Sequence, residues 1–156
     1  MTGTTEKKLA DLGIALPAAP APVANYVPTV AIGDFLFVSG QISRGGDGKT
    51  ITGKLGAGVS IPEGREAARV CALNILAQAQ AALGTLDRVA RIVKLTGFVN
   101  AAPTFTDHPQ VVNGASDLLV EILGDRGRHT RSAVGVAGLP LDAAVEVEAI
   151  IAIAKG

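Results

Sequence analysis

The chain has 156 residues, and its 14 Lys and Arg balance its 14 Asp and Glu, so the formal net charge is zero. This balance argues against nucleic acid and anionic membranes as partners, because neither would be attracted electrostatically. No stretch contains the roughly 20 apolar residues that span a bilayer. The length fits one domain, so we predict a single domain over residues 1–156.

The composition indicates self-association in a reducing compartment. Charged residues make up 18% of the chain, against about 25% in a typical domain, so we expect part of the surface to be buried against other copies of the chain. The single cysteine, Cys71, cannot form an intramolecular disulfide. Asp11, Gly13 and Pro17 interrupt the apolar run near the N-terminus. We therefore expect no signal peptide and a cytoplasmic protein.

The first 25 residues predict a short helix and a connector. A helix is expected over residues 4–13, where Gly13 would end it. Residues 14–25 contain three prolines among several alanines, a composition typical of an extended surface connector. We treat residues 1–25 as an N-terminal extension of the domain.

The rest of the chain alternates strand and helix patterns. Two apolar runs, residues 27–32 and 35–38, flank Gly33-Asp34, which predicts a β-hairpin. Pro62 suits the first turn of a helix and Gly84 suits its end. The other predicted elements are a short strand over 51–55, helices over 62–83 and 109–123, and strands over 89–99, 132–137 and 144–154.

This order predicts an α+β fold in which a mainly antiparallel sheet is backed by two helices. The turn at Leu139-Pro140 would pair the last two strands and could bring Arg131 near Glu146. An arginine fork suits a planar carboxylate, and a nearby glutamate could hold a water or act as acid or base. The alternative is a structural ion pair at a strand end.

Other candidate residues carry weaker signals. Ser39-Gly40-Gln41 follows an apolar strand, and glycine allows a ligand or another backbone to come close. Tyr26 is the only tyrosine, and its hydroxyl could donate to a ligand. Residues 126–131 form one basic run, which could meet phosphate or RNA or could be a solvated loop. The two histidines have no metal-ligand spacing with the cysteine, so no metal site is expected.

From about Tyr26 to Ala152 the chain resembles the reactive-intermediate deaminase family (Rid/YjgF, also called endoribonuclease L-PSP-like). The resemblance lies in Tyr26 thirteen residues before Ser39, in the SGQI run, in Asn113, and in RSAV followed by LP and VEVEAI from Arg131 onward. It implies a chorismate-mutase-like fold and a homotrimer with sites between subunits. It also implies hydrolysis of 2-imino acids to 2-keto acids and ammonia without a cofactor.

The resemblance further implies roles for individual residues. Arg131 matches the carboxylate-binding arginine and Glu146 the glutamate that positions water. Tyr26, Gly40 and Asn113 match positions that line the cleft, and Ser39 adjoins them, so these residues are expected to bind substrate.

Two other functions remain open. Ala133 and Gly135 stand where family deaminases often have cysteine and glutamate, which favours a trimer that binds small carboxylates without turnover. A ribonuclease is supported only by the basic run, and the few aromatic residues argue against base stacking.

Overall fold

The fold was obtained as a computed structural model, which describes residues 3–22 and 24–156. The three helices are α1 (Thr4–Asp11), α2 (Ile61–Leu83) and α3 (His108–Leu123). The strands are β1 (Thr29–Ile32), β2 (Phe35–Ile42), β3 (Lys54–Leu55), β4 (Gly58–Val59), β5 (Val89–Asn100), β6 (Thr130–Val136) and β7 (Val145–Ile153). Residues 14–22 and 24–25 of the connector contain no helix or strand, and Val23 lies outside the described residues.

Local sequence signals explain most of these elements. Gly33 adopts a positive φ of 58° and turns β1 back onto β2, which confirms the predicted hairpin. Helix α2 begins with a capping box in which Ser60 and Glu63 satisfy each other's backbone N–H groups. It ends at Gly84, which has a φ of 83°. Among the described helices, none is long and apolar enough to cross a membrane.

The main sheet has the strand order β1-β2-β7-β5-β6. Three of its pairings are antiparallel, and only β5 and β6 run parallel, which confirms the α+β class. The expected pairing of the last two strands is wrong, because β5 lies between β6 and β7. The cause is α3, which carries the chain from β5 back to a parallel neighbour, as a parallel pair requires a long crossover.

Both long helices cover one face of the sheet. The residues of β7 that point to this face are buried: Val145, Val147, Ala149 and Ile151. The alternate residues of β7, including Glu146 and Glu148, point to the other face, which no helix of the described chain covers. We call this second side the open face. It exposes the apolar side chains of Val30, Ile32, Phe35, Phe37 and Val134, each at least 43% accessible.

Helix α1 is fastened to the body of the fold by one carboxylate. Asp87, in the turn before β5, accepts hydrogen bonds from the backbone N–H and hydroxyl groups of Thr4 and Thr5, at 2.7 to 2.8 Å. These bonds hold the pKa of Asp87 well below its usual range. Glu6 accepts from the backbone N–H of Leu86 at 2.7 Å. The N-terminal helix is thus capped by a residue more than 80 positions away.

Candidate functional site

Arg131 lies near the start of the edge strand β6, and its side chain reaches helix α3. Its cross-strand neighbour on β5, Leu95, is fully buried, so both point to the helix-covered face. One guanidinium nitrogen, Nη1, donates to Asn113 Oδ1 at 2.8 Å and to Ser116 Oγ at 3.2 Å. Among the described residues, Arg131 has no acidic partner. This leaves a half-buried positive charge suited to an anionic ligand.

Ser116 and His129 extend the hydrogen bonds of Arg131 into a chain. Ser116 Oγ lies 2.9 Å from His129 Nε2, and His129 Nδ1 lies 2.6 Å from the carbonyl oxygen of Gly127. Burial lowers the pKa of His129, and the nearby charge of Arg131 lowers it further, against the hydrogen bond to Gly127. Neither Ser116 nor His129 was predicted as a site residue. The available signal was the spacing of Asn113 and Ser116, which places both on one face of a helix.

Glu146 lies on β7 at the open face, beside Gly40 of β2. The pairing of these strands shifts between Val38 and Gln41, so Ser39 and Gly40 together oppose one residue, as in a β-bulge. Gly40 is so close to Glu146 that an added Cβ would collide with Oε1. Burial raises the pKa of the Glu146 carboxyl, and the negative charge of Glu148 raises it further. This is the environment of a carboxylate able to take up a proton.

Ser39 joins the segment after Tyr26 to the same bulge. Its backbone N–H donates to the carbonyl of Pro28 at 2.9 Å, and its hydroxyl donates to the carbonyl of Val27 at 3.1 Å. Tyr26 itself is 50% exposed. Beside Ser39 the open face forms a hollow of about 290 Å³. Its lining includes Val27, Thr29, Phe37, Ser39, Lys94, Thr96 and Glu148.

The candidate residues therefore form two groups. One is Arg131 with Asn113; the other is Glu146 with Gly40, Ser39 and the Tyr26 segment. Through Leu95, Arg131 stands level with Ala149, three residues along β7 from Glu146. Arg131 and Glu146 are thus two strands apart across the sheet and three residues apart along it. These two displacements put their backbones about 14 Å apart. The suggested approach of Arg131 to Glu146 is thus not met within one protomer, and neither is the alternative ion pair.

The two positions that differ from the family deaminases lie on the same face as Arg131. Ala133 packs against the core. At Gly135 an added Cβ would collide with Nε2 of His108, the first residue of α3. His108 also packs edge-on against Phe105, with ring centroids 5.4 Å apart. An imidazole thus occupies the space that a side chain at position 135 would need.

The remaining sequence candidates have contacts elsewhere in the fold. In the basic run, Arg126 donates to the carbonyl of Val89 at 2.7 Å and to Thr5 Oγ at 2.9 Å, and Arg128 pairs with Asp125 at 3.2 Å. Cys71 is fully buried, and burial raises the pKa of its thiol. Within residues 3–22 and 24–156, no three His, Cys, Asp or Glu side chains are grouped to hold a metal.

Comparison with known families identifies the family of the chain. Residues 6–152 match the family model described as "YjgF/chorismate mutase-like, putative endoribonuclease". The chain belongs to this YjgF/chorismate mutase-like family. The match spans both groups of candidate residues and all but the last residue of β7.

Two relatives of the chain bear different names. The chain is 53% identical over 151 residues to Protein TCP17 of Trypanosoma cruzi, covering 96% of this chain and 94% of the relative. It is 29% identical over 141 residues to a 2-iminobutanoate/2-iminopropanoate deaminase of Dermatophagoides farinae, covering 90% and 94%. A deaminase is thus similar to this chain, although the more similar of the two relatives has a name that states no activity.

Solved structures share the YjgF fold. Protein Atu1372 of Agrobacterium tumefaciens is 45% identical, with a TM-score of 0.88 and coverage of 96% of this chain and 94% of that one. An endoribonuclease-like protein of Shewanella oneidensis is 36% identical, with a TM-score of 0.92 and coverage of 97% and 100%. TdcF of E. coli, solved with bound serine, is 28% identical, with a TM-score of 0.64 and coverage of 88% and 94%.

Proposed function

We propose that this YjgF-family protein is a cytoplasmic hydrolase that converts reactive 2-imino acids to 2-keto acids and ammonia. The observation that carries the proposal is the contrast between its two groups. A half-buried guanidinium that has no acidic partner in the described part of the chain suits the substrate carboxylate, and a carboxyl with a raised pKa suits proton transfer. The similarity to a 2-iminobutanoate/2-iminopropanoate deaminase supports the same substrate class.

The chemistry asks little more of the protein. In a protonated imine the carbon is already electrophilic, so catalysis consists mainly of orienting substrate and water. Arg131 would bind the carboxylate while Glu146 takes a proton from the attacking water as the C–O bond forms. Glu146 then returns that proton to nitrogen. As the C–N bond breaks, the hydroxyl proton passes to the Glu146 carboxylate and the C=O bond of the keto acid forms; the released ammonia carries this last proton away as ammonium. No redox partner is consumed.

We further propose that the site is completed between copies of the chain, in a homotrimer. Arg131 and Glu146 point to opposite faces of one sheet, about 14 Å apart at the backbone, so one small substrate cannot touch both within a protomer. The open face, to which Glu146 points, carries large exposed apolar side chains. Burying them against another copy would remove an apolar patch from water and could supply the missing arginine. The number three follows the family resemblance.

The decisive experiment measures ammonia and keto-acid release from imino acids generated in situ. We expect the wild type to accelerate hydrolysis and Arg131→Ala to abolish the acceleration. Activity that survives in Arg131→Ala would contradict the proposed role of the guanidinium. Absence of wild-type acceleration across several imino acids would reject the deaminase function.

A complementation experiment tests the composite site. Arg131→Ala and Glu146→Gln, each inactive alone, are coexpressed in equal amounts. If one copy supplies the arginine and its neighbour the glutamate, random assembly restores roughly a quarter of the sites. Each variant expressed alone is the control. No recovered activity in a mixed oligomer would place both residues of a working site in the same protomer.

A second function is favoured by the differences on β6. Ala133 and Gly135 carry no polar group, so the polar side chains of β6 are those of Thr130, Arg131 and Ser132. Such a site could hold a small carboxylate without turning it over. In that case a 2-keto acid would raise the unfolding temperature of the wild type, and ammonia would not be released.

A further inference from the structure

The hydrogen bonds of Arg131 leave one defined edge of the guanidinium free. A guanidinium Nη nitrogen carries two N–H groups, and those of Nη1 are directed at Asn113 Oδ1 and Ser116 Oγ. Within the described residues, neither Nε nor Nη2 of Arg131 has a hydrogen-bond partner. A carboxylate can therefore be gripped by two parallel bonds only along the Nε–Nη2 edge.

The direction of each bond behind Nη1 follows from elementary donor rules. A carbonyl oxygen only accepts, so His129 Nδ1 carries the proton that is shared with Gly127. Since burial favours the neutral ring, Nε2 is then unprotonated and accepts from the Ser116 hydroxyl. The hydroxyl oxygen is left with its lone pairs for Arg131. A chain of three bonds thus runs from the backbone of Gly127 to the guanidinium.

We propose that Ser116 and His129 are positioning residues that fix the guanidinium of Arg131 so that its Nε–Nη2 edge meets the substrate carboxylate. This rests on the proposed function, in which Arg131 binds that carboxylate. Asn113 alone would engage one N–H of Nη1 and leave the planar group free to swing about that contact. The second contact, through Ser116, fixes its orientation, and His129 fixes the rotation of the Ser116 hydroxyl.

The kinetic test separates binding from chemistry. We expect Ser116→Ala to raise KM for the imino acid about tenfold, because the charged guanidinium loses one hydrogen bond. The value of kcat should change little. His129→Gln should change KM in the same direction. Ser116→Thr keeps the hydroxyl and should restore KM. Glu121→Ala, an exposed change on the same helix, controls for helix stability. A wild-type KM in both Ser116→Ala and His129→Gln would overturn the proposal.

A second readout does not depend on turnover. Nitrogen NMR of the Arg131 side chain reports rotation of the guanidinium about its Nε–Cζ bond. We expect slow rotation in the wild type and in Glu121→Ala, and faster rotation in Ser116→Ala. If the wild type hydrolyses no imino acid, the proposed function fails, and this comparison still decides the positioning role. Equal rotation rates in the wild type and Ser116→Ala would refute it.

Discussion

Gly40 lies against the carboxylate of Glu146 with no room for a Cβ between them. Glycine at this position therefore determines where the carboxylate can sit. The obstruction comes from the end of a flexible side chain, which can rotate away at a cost of about 1 kcal/mol.

For Gly40→Ala we accordingly expect a large loss of imine hydrolysis, tenfold or more, with little loss of stability. Steady-state kinetics and thermal unfolding measure the two effects separately. Gly138→Ala is the matched control, because Gly138 has no atom within 4 Å of a built Cβ and no positive φ. Full activity in Gly40→Ala would show that the carboxylate position is unimportant.

Glu148 is expected to set the acid side of the pH profile. Burial is the larger cause of the raised pKa of Glu146, and the negative charge of Glu148 raises that pKa further. If Glu146 acts as an ionised base, kcat/KM falls as the pH drops through that raised pKa. Glu148→Gln removes the neighbouring negative charge and should shift this fall to lower pH. An unshifted acid limb would mean that another group controls it.

Glu146→Gln should abolish hydrolysis and yet stabilise the protein near neutral pH. The pKa of Glu146 is higher in the folded state than in the unfolded chain. The folded state is therefore favoured by the protonated carboxyl below the ordinary pKa of about 4.3, and this stabilisation is lost as the pH rises through the raised pKa. The glutamine amide of Glu146→Gln stays neutral at every pH, so the variant does not lose stability in this way. Unfolding temperatures of wild type and variant should therefore diverge from pH 4 to pH 8, and a variant less stable at pH 8 would contradict the expectation.

Asp87→Ala should loosen helix α1. Losing an N-terminal cap costs about 1–2 kcal/mol, or roughly 2–4 °C in unfolding temperature per kcal/mol for a chain of this size. The pKa of Asp87 is lowered in the folded state, so its contribution is present above about pH 4 and declines as the pH falls further. The difference between wild type and Asp87→Ala should shrink at pH 3. Asp34→Ala, in the exposed β1–β2 turn, is the control.

Local signals in the sequence predicted the helices and the long strands but not their arrangement. The strand expected over 51–55 is confined to Lys54–Leu55, and β4 was not predicted. Pro62 and Gly84 bound α2, and Gly33 marks the hairpin, because each residue acts on its own backbone. The pairing of β7 with β5 rather than β6 depends on contacts between distant segments, which no local pattern records. The loop that precedes β7 also takes left-handed backbone at Leu141 and Asp142, with φ of 57° and 56°, a conformation that is uncommon for leucine.

The sequence also predicted the candidate site only in part. The proposed roles of Arg131 and Glu146 come from family resemblance, and the structure explains why a hairpin between their strands could not bring them together. Ser116 and His129 were missed because a serine on a helix and a histidine in a basic loop are common residues in common places. The hydrogen-bonded chain that links them to Arg131 forms only once α3 packs beside β6.

The strand order leaves β1 and β6 as the two edges of the sheet, each with backbone groups on one side that no neighbouring strand of the main sheet pairs. Unpaired edges are templates for adding another strand. In an unassembled protomer they would adjoin the apolar open face, a combination that promotes aggregation. If the protein assembles as proposed, its oligomer would form in competition with irregular association through these edges, and a high local concentration of folded chains would favour the oligomer.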